Sequence, residues 1–218
     1  MGFSQEQARR YEGWFESPFG QRADRVEKRI LARLLSAFSD PRSLLDVGCG
    51  TGHFARWFAE RGMVTIGLDT SAPMLGLSRA LGPEIDVVVG DALKLPFEDS
   101  AFDMVALVTV LEFLEDPEGA LVEALRVARM GLLLGVLNSL SPVALWRRAR
   151  GLGRRATYGG ARFFSPWGLE RLVRRCLRER AASVRWMTGL YPLSCLDGLT
   201  RLPFGAFVGM SVRLEKGG

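Results

Sequence analysis

The chain has 218 residues, of which 48% are hydrophobic and 24% charged, and its formal net charge is +5. That composition is typical of an ordinary globular protein with a full core, and the length favours one domain. Because the chain has no apolar run long enough to span a bilayer and no apolar signal core at its start, we predict no membrane association. Three widely separated cysteines predict a reducing, cytoplasmic location, and a single histidine argues against a metal site.

The first 40 residues combine an aromatic cluster with a helical pattern. Apolar residues recur at three- and four-residue steps from Val26 to Phe38, which predicts an amphipathic helix lying on the core. The charged residues between them are assigned to the solvent face: Arg22, Arg25, Glu27, Lys28, Arg29 and Arg33. The aromatic residues that precede this helix are Tyr11, Trp14, Phe15 and Phe19. They either staple the N-terminal segment to the core or form a lid over a ligand cleft.

Three glycines at alternate positions, Gly48, Gly50 and Gly52, follow the apolar segment from Leu44 to Val47. This pattern predicts a strand that turns sharply into a helix over residues 51–61, with bare backbone where a ligand can approach. The start of such a helix favours an anionic group, because its first N–H groups are unpaired. The G-x-G-x-G spacing differs from the dinucleotide fingerprint G-x-G-x-x-G, and no lysine follows as in a P-loop. A nicotinamide-dependent oxidoreductase is therefore disfavoured.

Further strands are predicted at 64–69, 84–89, 104–109, 132–137 and 206–214. Strands that alternate with helices predict a doubly wound parallel sheet that binds its ligand at the carboxyl ends of the strands. Asp69 and Asp91 follow the second and third of these strands. Asp69 is placed either to accept both hydroxyls of a ribose or to cap the helix that begins near Ser71.

The string LLDVGCGTG, residues 44–52, resembles motif I of the class I S-adenosylmethionine-dependent methyltransferases, of the methyltransferase type 11-like kind. The turn at 90–92 (GDA) and the segments 95–97 (LPF) and 100–103 (SAFD) resemble the same family, and the resemblance spans roughly residues 44–138. It implies an α/β, doubly wound, Rossmann-like fold with a seven-stranded, mostly parallel sheet. The last strand is expected to be antiparallel, with helices on both faces. The implied cofactor is S-adenosylmethionine, with S-adenosylhomocysteine as the product.

The resemblance also implies which residues hold the cofactor, since in this family the glycine loop lies under the methionine part. The residues assigned to cofactor binding are Asp46, Gly48, Cys49, Gly50, Gly52, Asp69, Thr70, Met74, Asp91, Ala92 and Thr109. Asp91 would accept a hydrogen bond from the exocyclic amine of adenine, and the Ala92 N–H would donate one to a ring nitrogen.

The sequence departs from the family pattern after the fourth predicted strand. Close relatives often carry a histidine near the positions of Glu112 and Phe113, and this chain has none there. We assign Glu112 and Tyr11 as candidate general bases and interpret His53 as a residue of the first helical turn after the glycine loop. The acceptor pocket is assigned to Trp14, Phe15, Trp146 and Phe163.

We predict one methyltransferase domain over residues 1–218, with an N-terminal helical lid (1–40), a cofactor-binding core (41–138) and an acceptor-side insertion with the final strands (139–218). The predicted activity is in-line methyl transfer to a small-molecule acceptor. One alternative is an RNA-modifying methyltransferase that uses the arginine-rich region from Arg147 to Arg180. Nucleic acid is not favoured, because residues 108–112 contain neither an Asn/Asp-Pro-Pro-aromatic string nor a Pro-Cys pair. The other alternative is a non-catalytic S-adenosylmethionine-binding protein, and the oligomeric state is not predicted.

Overall fold

The structure, a computed structural model, describes residues 4–149, 161–197 and 201–215. Within these residues, seven strands form one sheet: β1 (Ser43–Val47), β2 (Val64–Asp69), β3 (Asp86–Val89), β4 (Phe102–Val108), β5 (Ala128–Leu137), β6 (Ala182–Gly189) and β7 (Phe207–Leu214). Their order in the sheet is β3-β2-β1-β4-β5-β7-β6. Strands β1 to β5 are parallel, and β7 lies antiparallel to both β5 and β6. This confirms the predicted mostly parallel sheet with an antiparallel last strand.

The described chain also contains seven α-helices: α1 (Gln5–Trp14), α2 (Pro18–Leu35), α3 (His53–Ala59), α4 (Ala72–Leu81), α5 (Pro117–Val127), α6 (Pro142–Ala149) and α7 (Pro166–Leu177). A serine or aspartate side chain caps α1, α2, α4, α5 and α7 by accepting a hydrogen bond from a backbone N–H of the first turn. All but α1 of these also have a proline in the first turn, where no intrahelical hydrogen bond is lost. Within the described ranges, none of the helices combines the length and the apolar character needed to cross a membrane.

Apolar side chains form a core on each face of the sheet. On one face, α5 and α7 cover Leu45 and Leu134, and on the other face α2 and α3 cover Leu44 and Leu133. Neighbouring residues of one strand therefore point into different cores, as the two-residue period of a strand requires. Every residue of β4 is buried, because this strand is central and covered on both faces. The helices on both faces confirm the doubly wound arrangement.

The start of β5 differs from the prediction. It begins at Ala128 rather than near residue 132, and α5 ends just before it. The carboxylate of Asp103, in β4, accepts hydrogen bonds from the N–H groups of Arg42 and Ser43 at 2.9 and 3.2 Å and from Arg129 Nε at 3.0 Å. This carboxylate therefore joins the amino ends of β1, β4 and β5. The contact with Arg129 lies at the point where the chain leaves α5 and enters β5.

Candidate functional site

The glycine loop follows β1 and leads the chain into α3. Gly48, Gly50 and Gly52 have φ angles of +72°, +55° and +77°, in the region that favours glycine. A Cβ atom at Gly48 would lie 2.3 Å from Val110 Cγ2, and one at Gly52 would lie 2.2 Å from Ser78 Oγ. Both the backbone conformation and the available space therefore require glycine at these two positions.

Asp69, at the carboxyl end of β2, stabilises the shape of the loop. Its Oδ2 accepts a hydrogen bond from the Gly50 N–H at 2.9 Å, and its Oδ1 accepts one from the Ser71 N–H at 2.8 Å. The N-cap of α4 is Ser71, whose hydroxyl accepts a hydrogen bond from the Met74 N–H at 3.4 Å. Asp69 is therefore not the cap itself, and it lies partly exposed beside the loop. Its contact with a ribose stays a prediction.

The predicted cofactor residues that follow β1, β2 and β3 lie along one edge of the sheet. These strands are parallel neighbours, so Gly48, Asp69 and Asp91 leave the sheet on the same side. Asp91 is exposed, and its Oδ1 accepts a hydrogen bond from the Leu93 N–H at 2.9 Å, while Ala92 is buried. Their contacts with adenine stay predictions.

Three further residues assigned to cofactor binding border this edge. Thr70 is exposed directly after β2, and Met74 is buried in the first turn of α4. Thr109 follows β4 with a φ angle of +53°, and its N–H donates a hydrogen bond to the Gly135 carbonyl at 2.7 Å. The structure thus places the residues after four neighbouring strands along one edge of the sheet, where the cofactor crevice is predicted.

Two titratable groups lie beneath the glycine loop. Burial, together with the charge of Asp69, raises the pKa of the Asp46 carboxyl to about 8, although the Ala55 N–H donates a hydrogen bond to it. Burial also raises the pKa of the Cys49 thiol. Both side chains are buried, and their predicted role in cofactor binding stays a prediction.

Tyr11 of α1 lies across the glycine loop. Its Cε1 atom would be 3.8 Å from a Cβ built at Gly50, and this is the nearest contact such an atom would make. The Tyr11 hydroxyl is hydrogen-bonded to the Thr109 side chain. The residue is 38% exposed, but its hydroxyl end is buried, and burial together with the charge of Glu27 raises the pKa of the phenol. A protonated phenol is a hydrogen-bond donor, which disfavours the predicted role of Tyr11 as a general base.

Glu12 fastens α1 to α3 through a contact that the sequence did not reveal. Arg56 Nη2 donates a hydrogen bond to Glu12 Oε1 at 2.6 Å, and the Thr51 hydroxyl donates to the same carboxylate. Arg56 Nη1 also donates to the Thr51 carbonyl at 2.7 Å. The sequence does show an arginine, Arg56, one turn after the glycine loop. Its partner Glu12 could not be identified, because it is more than 40 residues away in the sequence.

The predicted acceptor residues of the N-terminal segment pack on the outer side of α3. The Phe15 ring stacks on His53, with ring centroids 3.7 Å apart, and Trp14 meets Phe15 edge to face at 5.0 Å. His53 is the first residue of α3, as predicted, and its Nε2 lies 2.6 Å from Asp24 Oδ1 of α2. These contacts support the interpretation of the aromatic cluster as a staple, and its role as a lid stays a prediction.

Glu112 lies in the turn after β4 and is 2% exposed. Its Oε1 accepts a hydrogen bond from the Leu137 N–H at 2.6 Å. Its Oε2 is buried and has no hydrogen-bond partner among the described residues. Burial raises the pKa of this carboxyl to about 8. A carboxylate with a raised pKa and a free oxygen can accept a proton, as the assigned role of a general base requires.

Glu27 was assigned to the solvent face of the N-terminal helix, and the structure corrects that assignment. The residue is 6% exposed, because it lies one helical turn from both Ala23 and Leu31, which belong to the buried face of α2. Burial and the charges of Asp24 and Glu112 raise the pKa of its carboxyl to about 8. An acid inside an apolar stripe was the signal in the sequence, and the surrounding basic residues obscured it.

The other two residues assigned to the acceptor pocket lie on either side of residues 150–160, which are outside the described chain. Trp146 lies in α6 and is half exposed. Phe163 stands between Arg162, whose N–H donates a hydrogen bond to the Glu112 carbonyl at 2.7 Å, and Phe164, which pairs with Asn138 after β5. The backbone on either side of Phe163 is therefore hydrogen-bonded to the backbone at the carboxyl ends of β4 and β5, where Glu112 lies.

The described part of the arginine-rich region lies mostly in α7. Arg174 Nη2 donates a hydrogen bond to Glu170 at 2.7 Å, and Arg175 Nη2 lies 3.5 Å from a Glu118 carboxylate oxygen. The arginine side chains from 147 to 155 lie outside the described residues. The charges of Arg174 and Arg175 are thus partly neutralised by acidic residues of the same protein.

Residues 45–134 match the methyltransferase domain family. A demethylmenaquinone methyltransferase of Renibacterium salmoninarum is 36% identical over 115 residues, which cover 53% of this chain and 48% of that protein. A malonyl-[acyl-carrier protein] O-methyltransferase of Serratia marcescens is 38% identical over 108 residues, which cover 49% of this chain and 42% of that protein. The chain spans about half the length of these curated relatives.

A crystal structure from Thermotoga maritima is similar over a longer stretch. It superposes with a TM-score of 0.74 at 28% identity, and the match covers 96% of each chain. That protein is described as an S-adenosylmethionine-dependent methyltransferase and a possible histamine N-methyltransferase. The similarity therefore reaches beyond residues 45–134 to the N-terminal helices and the final strands.

Proposed function

We propose that this chain, which belongs to the class I S-adenosylmethionine-dependent methyltransferases, transfers the methyl group of S-adenosylmethionine to a small-molecule acceptor by in-line displacement. The observation that carries the proposal is the bare glycine loop fixed by Asp69 at an edge that Asp91 also reaches. S-Adenosylmethionine, when bound, supplies a methyl group that its sulfonium already activates. The residues of the chain then have to bind the cofactor, align the acceptor and exclude water.

The residues at this edge fit the cofactor. A Cβ at Gly50 would have the Tyr11 ring, 3.8 Å away, as its nearest neighbour, so no backbone atom crowds this side of the loop. Asp69 is partly exposed beside it, with lone pairs left for the hydroxyls of a ribose. Asp91 is exposed at the end of the next strand, where its carboxylate is free to accept from an amine of adenine. Each of these three contacts is expected to contribute to cofactor affinity.

The exclusion of water is assigned to α1. Tyr11 spans from the glycine loop to Thr109. The next residue of the helix, Glu12, is hydrogen-bonded to Arg56. A helix held in this way shields the edge of the sheet where the methyl group would lie. Shielding both strengthens electrostatic contacts inside the site and prevents loss of the methyl group to water.

A small acceptor is favoured over RNA. Arg174 and Arg175 of α7 have acidic neighbours in the protein itself, which reduces the positive charge that they can offer to phosphates. The relatives from Renibacterium salmoninarum and Serratia marcescens are named for a demethylmenaquinone and a malonyl-[acyl-carrier protein] acceptor, neither of which is RNA. A non-catalytic binding protein remains the second candidate, and it differs by binding the cofactor without turnover.

A cytoplasmic location completes the proposal. Cys49, Cys176 and Cys195 are all free thiols, and the first two are buried. Free thiols persist in a reducing compartment.

The test is calorimetric titration of the purified protein with S-adenosylhomocysteine, with NAD as the control ligand. We expect binding of the first and none of the second. Asp69→Ala should weaken S-adenosylhomocysteine binding about tenfold or more, because a charge-assisted contact and the support of the loop are both lost. Glu115→Gln, an exposed change outside the crevice, should leave the affinity unchanged. If Asp69→Ala bound as tightly as the unchanged protein, the cofactor site would be assigned to the wrong edge.

A further inference from the structure

Six large apolar side chains are exposed at one end of the molecule, each between 44% and 63%. Single exposed apolar residues are ordinary on a protein surface, whereas a group of them in one region indicates a binding surface. The six residues, which we call the apolar rim, are Phe113, Leu145, Trp146, Leu193, Leu202 and Phe204.

The apolar rim lies at the edge of the sheet where the glycine loop also lies. Phe113 follows β4, and α6, which carries two of the six residues, follows β5. The other three belong to the connection between β6 and β7. The register of the sheet places Leu137 at the end of β5 and Gly189 at the end of β6 beside Phe207 at the start of β7. All the segments of the rim therefore leave or enter the sheet on one side.

Hydrogen bonds from Asn138 join α6 to the connection between β6 and β7. The Asn138 side chain is fully buried, and its amide donates to the carbonyls on either side of Phe204, both at 2.7 Å. The Ser141 N–H donates to the Asn138 carbonyl at 3.3 Å, and the Leu145 N–H donates to the Ser141 carbonyl at 2.9 Å. Phe204 and the start of α6 are thus held next to each other.

Tyr191 holds the rest of the connection between β6 and β7. Its hydroxyl donates a hydrogen bond to the Leu202 carbonyl at 2.6 Å, and its N–H donates one to Asp197 Oδ1 at 2.8 Å. Leu193 lies between Tyr191 and Asp197 in the chain, within the turn that the second of these bonds closes. The two leucines are therefore held at the same edge as Phe204.

Phe113 is joined to this group by the segment that precedes α7. The carbonyl of Glu112, one residue before Phe113, accepts a hydrogen bond from the Arg162 N–H at 2.7 Å. Two residues after Arg162, the carbonyl of Phe164 accepts one from the Ser139 N–H at 3.0 Å, directly after Asn138. The six apolar side chains thus belong to one region of the surface.

Positive charge accompanies the apolar rim. The sequence from residue 138 to residue 165, which includes α6, contains six arginines and no acidic residue. Arg162, in this stretch, and Arg201, directly before Leu202, are both exposed. Asp197, the acidic residue of the connection between β6 and β7, is buried and lies 2.9 Å from Arg22 Nη2. The exposed charge that this connection contributes is therefore positive.

A bilayer that contains anionic lipid matches this combination. Its surface has two layers, phosphate headgroups that attract arginine and a hydrocarbon layer that accepts leucine and aromatic side chains. Tryptophan suits the boundary between the two, because its ring is apolar and its N–H is polar. The exposed acids beside Phe113 in the chain are Glu115 and Asp116, fewer than the arginines of the stretch that includes α6.

We propose that the apolar rim is the surface through which this chain docks peripherally on a bilayer that contains anionic lipid. Leu193, Phe204 and the exposed side chains of α6 enter the outer hydrocarbon layer, and the arginines beside them contact lipid phosphates. The expected lack of membrane association was inferred from the lack of a crossing segment, and docking of this kind needs none. The inference goes beyond the proposed methyl transfer and does not depend on it.

The test is co-sedimentation of the full chain with sucrose-loaded vesicles. Vesicles of phosphatidylglycerol and phosphatidylcholine in equal parts are compared with vesicles of phosphatidylcholine alone. We expect binding to the mixed vesicles and at least about tenfold weaker binding to the neutral ones, because only the mixed vesicles attract arginine. Added salt should weaken binding to the mixed vesicles, since it screens that attraction.

The apolar contribution is tested with the double variant Leu193→Ser/Phe204→Ser. It should bind the mixed vesicles about tenfold or more weakly than the unchanged protein, because two apolar side chains no longer enter the hydrocarbon layer. Val64→Ser/Leu81→Ser is the matched control, since both of these residues are exposed at the opposite edge of the sheet. Circular dichroism verifies that each variant is folded.

The charge contribution is tested with Arg162→Gln/Arg201→Gln, which should weaken binding to the mixed vesicles several-fold. Arg29→Gln/Arg33→Gln removes the same charge from an exposed part of α2 and should have little effect. A merely basic protein would respond equally to both changes. Equal losses of binding for the two double variants would therefore overturn docking through the rim.

Three further results would overturn the proposal. The first is that the unchanged protein binds neither kind of vesicle, or binds both equally. The second is that Leu193→Ser/Phe204→Ser binds the mixed vesicles as tightly as the control Val64→Ser/Leu81→Ser. The third is a dimer in sedimentation equilibrium that Leu193→Ser/Phe204→Ser dissociates, which would assign the rim to a second copy of the chain. Failure of the proposed function is a separate result, namely no binding of S-adenosylhomocysteine to the unchanged protein.

Discussion

Arg56 Nη2 donates a hydrogen bond to Glu12 Oε1 at 2.6 Å, and this contact joins the first helix of the chain to the helix that begins at the glycine loop. Both side chains are largely buried, so the pair is shielded from solvent. The contact therefore couples the position of α1 to the conformation of the loop. The lid function predicted for the N-terminal segment would depend on this contact.

Glu12→Gln is expected to loosen α1. The change removes the charge of a largely buried pair and should lower the free energy of unfolding by about 1 kcal/mol. It should also speed the dissociation of S-adenosylhomocysteine several-fold in stopped-flow measurements. Glu6→Gln on the same helix is the control, because its pair with Arg10 is almost fully exposed and should have little effect on either quantity. Equal dissociation rates for Glu12→Gln and Glu6→Gln would show that α1 does not retain the cofactor.

Tyr11 offers a separate test of the lid. Tyr11→Ala should weaken S-adenosylhomocysteine binding about tenfold, because it uncovers Gly50 and lets water reach the loop. Tyr11→Phe keeps the ring and loses only the hydrogen bond to Thr109, so its effect should be smaller. Phe19→Ala, an exposed aromatic change nearby in the sequence, is the control, and calorimetry compares all three. If Tyr11→Ala bound S-adenosylhomocysteine with full affinity, the aromatic cluster would serve only to hold the N-terminal segment on the core and would not act as a lid.

The glycine loop should tolerate no side chain at Gly48. Gly48→Ala forces a left-handed backbone on alanine and brings its Cβ to 2.3 Å from Val110 Cγ2. We expect the free energy of unfolding to fall by at least about 1–2 kcal/mol. Gly76→Ala, inside α4 and with no atom within 4 Å of its Cβ, should raise it by about 0.5–1 kcal/mol. Urea denaturation measures both, and a Gly48→Ala protein as stable as the original would contradict the loop geometry.

The raised pKa of Glu112 predicts a pH dependence of stability. Because burial raises the pKa of its carboxyl to about 8, the folded protein binds this proton more tightly than the unfolded chain, where the pKa is about 4.3. The resulting stabilisation is fully present below the unfolded pKa and is lost as the pH rises through about 8. The stability of the unchanged protein relative to Glu112→Gln should therefore fall between about pH 5 and pH 8, by up to about 1.4 kcal/mol per pH unit.

Denaturation at a series of pH values measures this difference. Glu115→Gln, an exposed change three residues along the chain, is the control. A relative stability of Glu112→Gln that stayed constant from about pH 5 to pH 8 would show that the Glu112 carboxyl titrates normally.

The features that were predicted from the sequence are local ones. The turn from β1 into α3 was indicated by Gly48, Gly50 and Gly52 within five residues. The positions of Asp69 and Asp91 at strand ends followed from apolar runs that stop just before them. A short window of sequence contains the whole physical cause in each case, whether backbone freedom or burial of a strand.

The features that escaped prediction depend on partners far apart in the chain. Nothing near Glu12 indicates Arg56, and nothing near Glu112 indicates the Leu137 N–H that donates a hydrogen bond to its carboxylate. Glu27 was misassigned because periodicity alone gives the direction of a side chain relative to its helix, and the elements that cover it are fixed only when the chain folds. The basic residues beside Glu27 in the sequence, such as Lys28, suggested a solvent-exposed stretch of helix. Glu27 itself lies one helical turn from two buried residues, Ala23 and Leu31.

The adjacency of Tyr11 and Glu12 has a kinetic consequence. One residue covers the loop and the next anchors the helix, so α1 cannot uncover the crevice without breaking the Glu12–Arg56 pair as well. If α1 covers the bound cofactor, as we propose, its opening is expected to be close to an all-or-none event, and the spent cofactor would leave through the same opening that admits a fresh one. The rate of repeated turnover would then be set by the frequency with which the first helix undocks, however fast the methyl group itself is transferred.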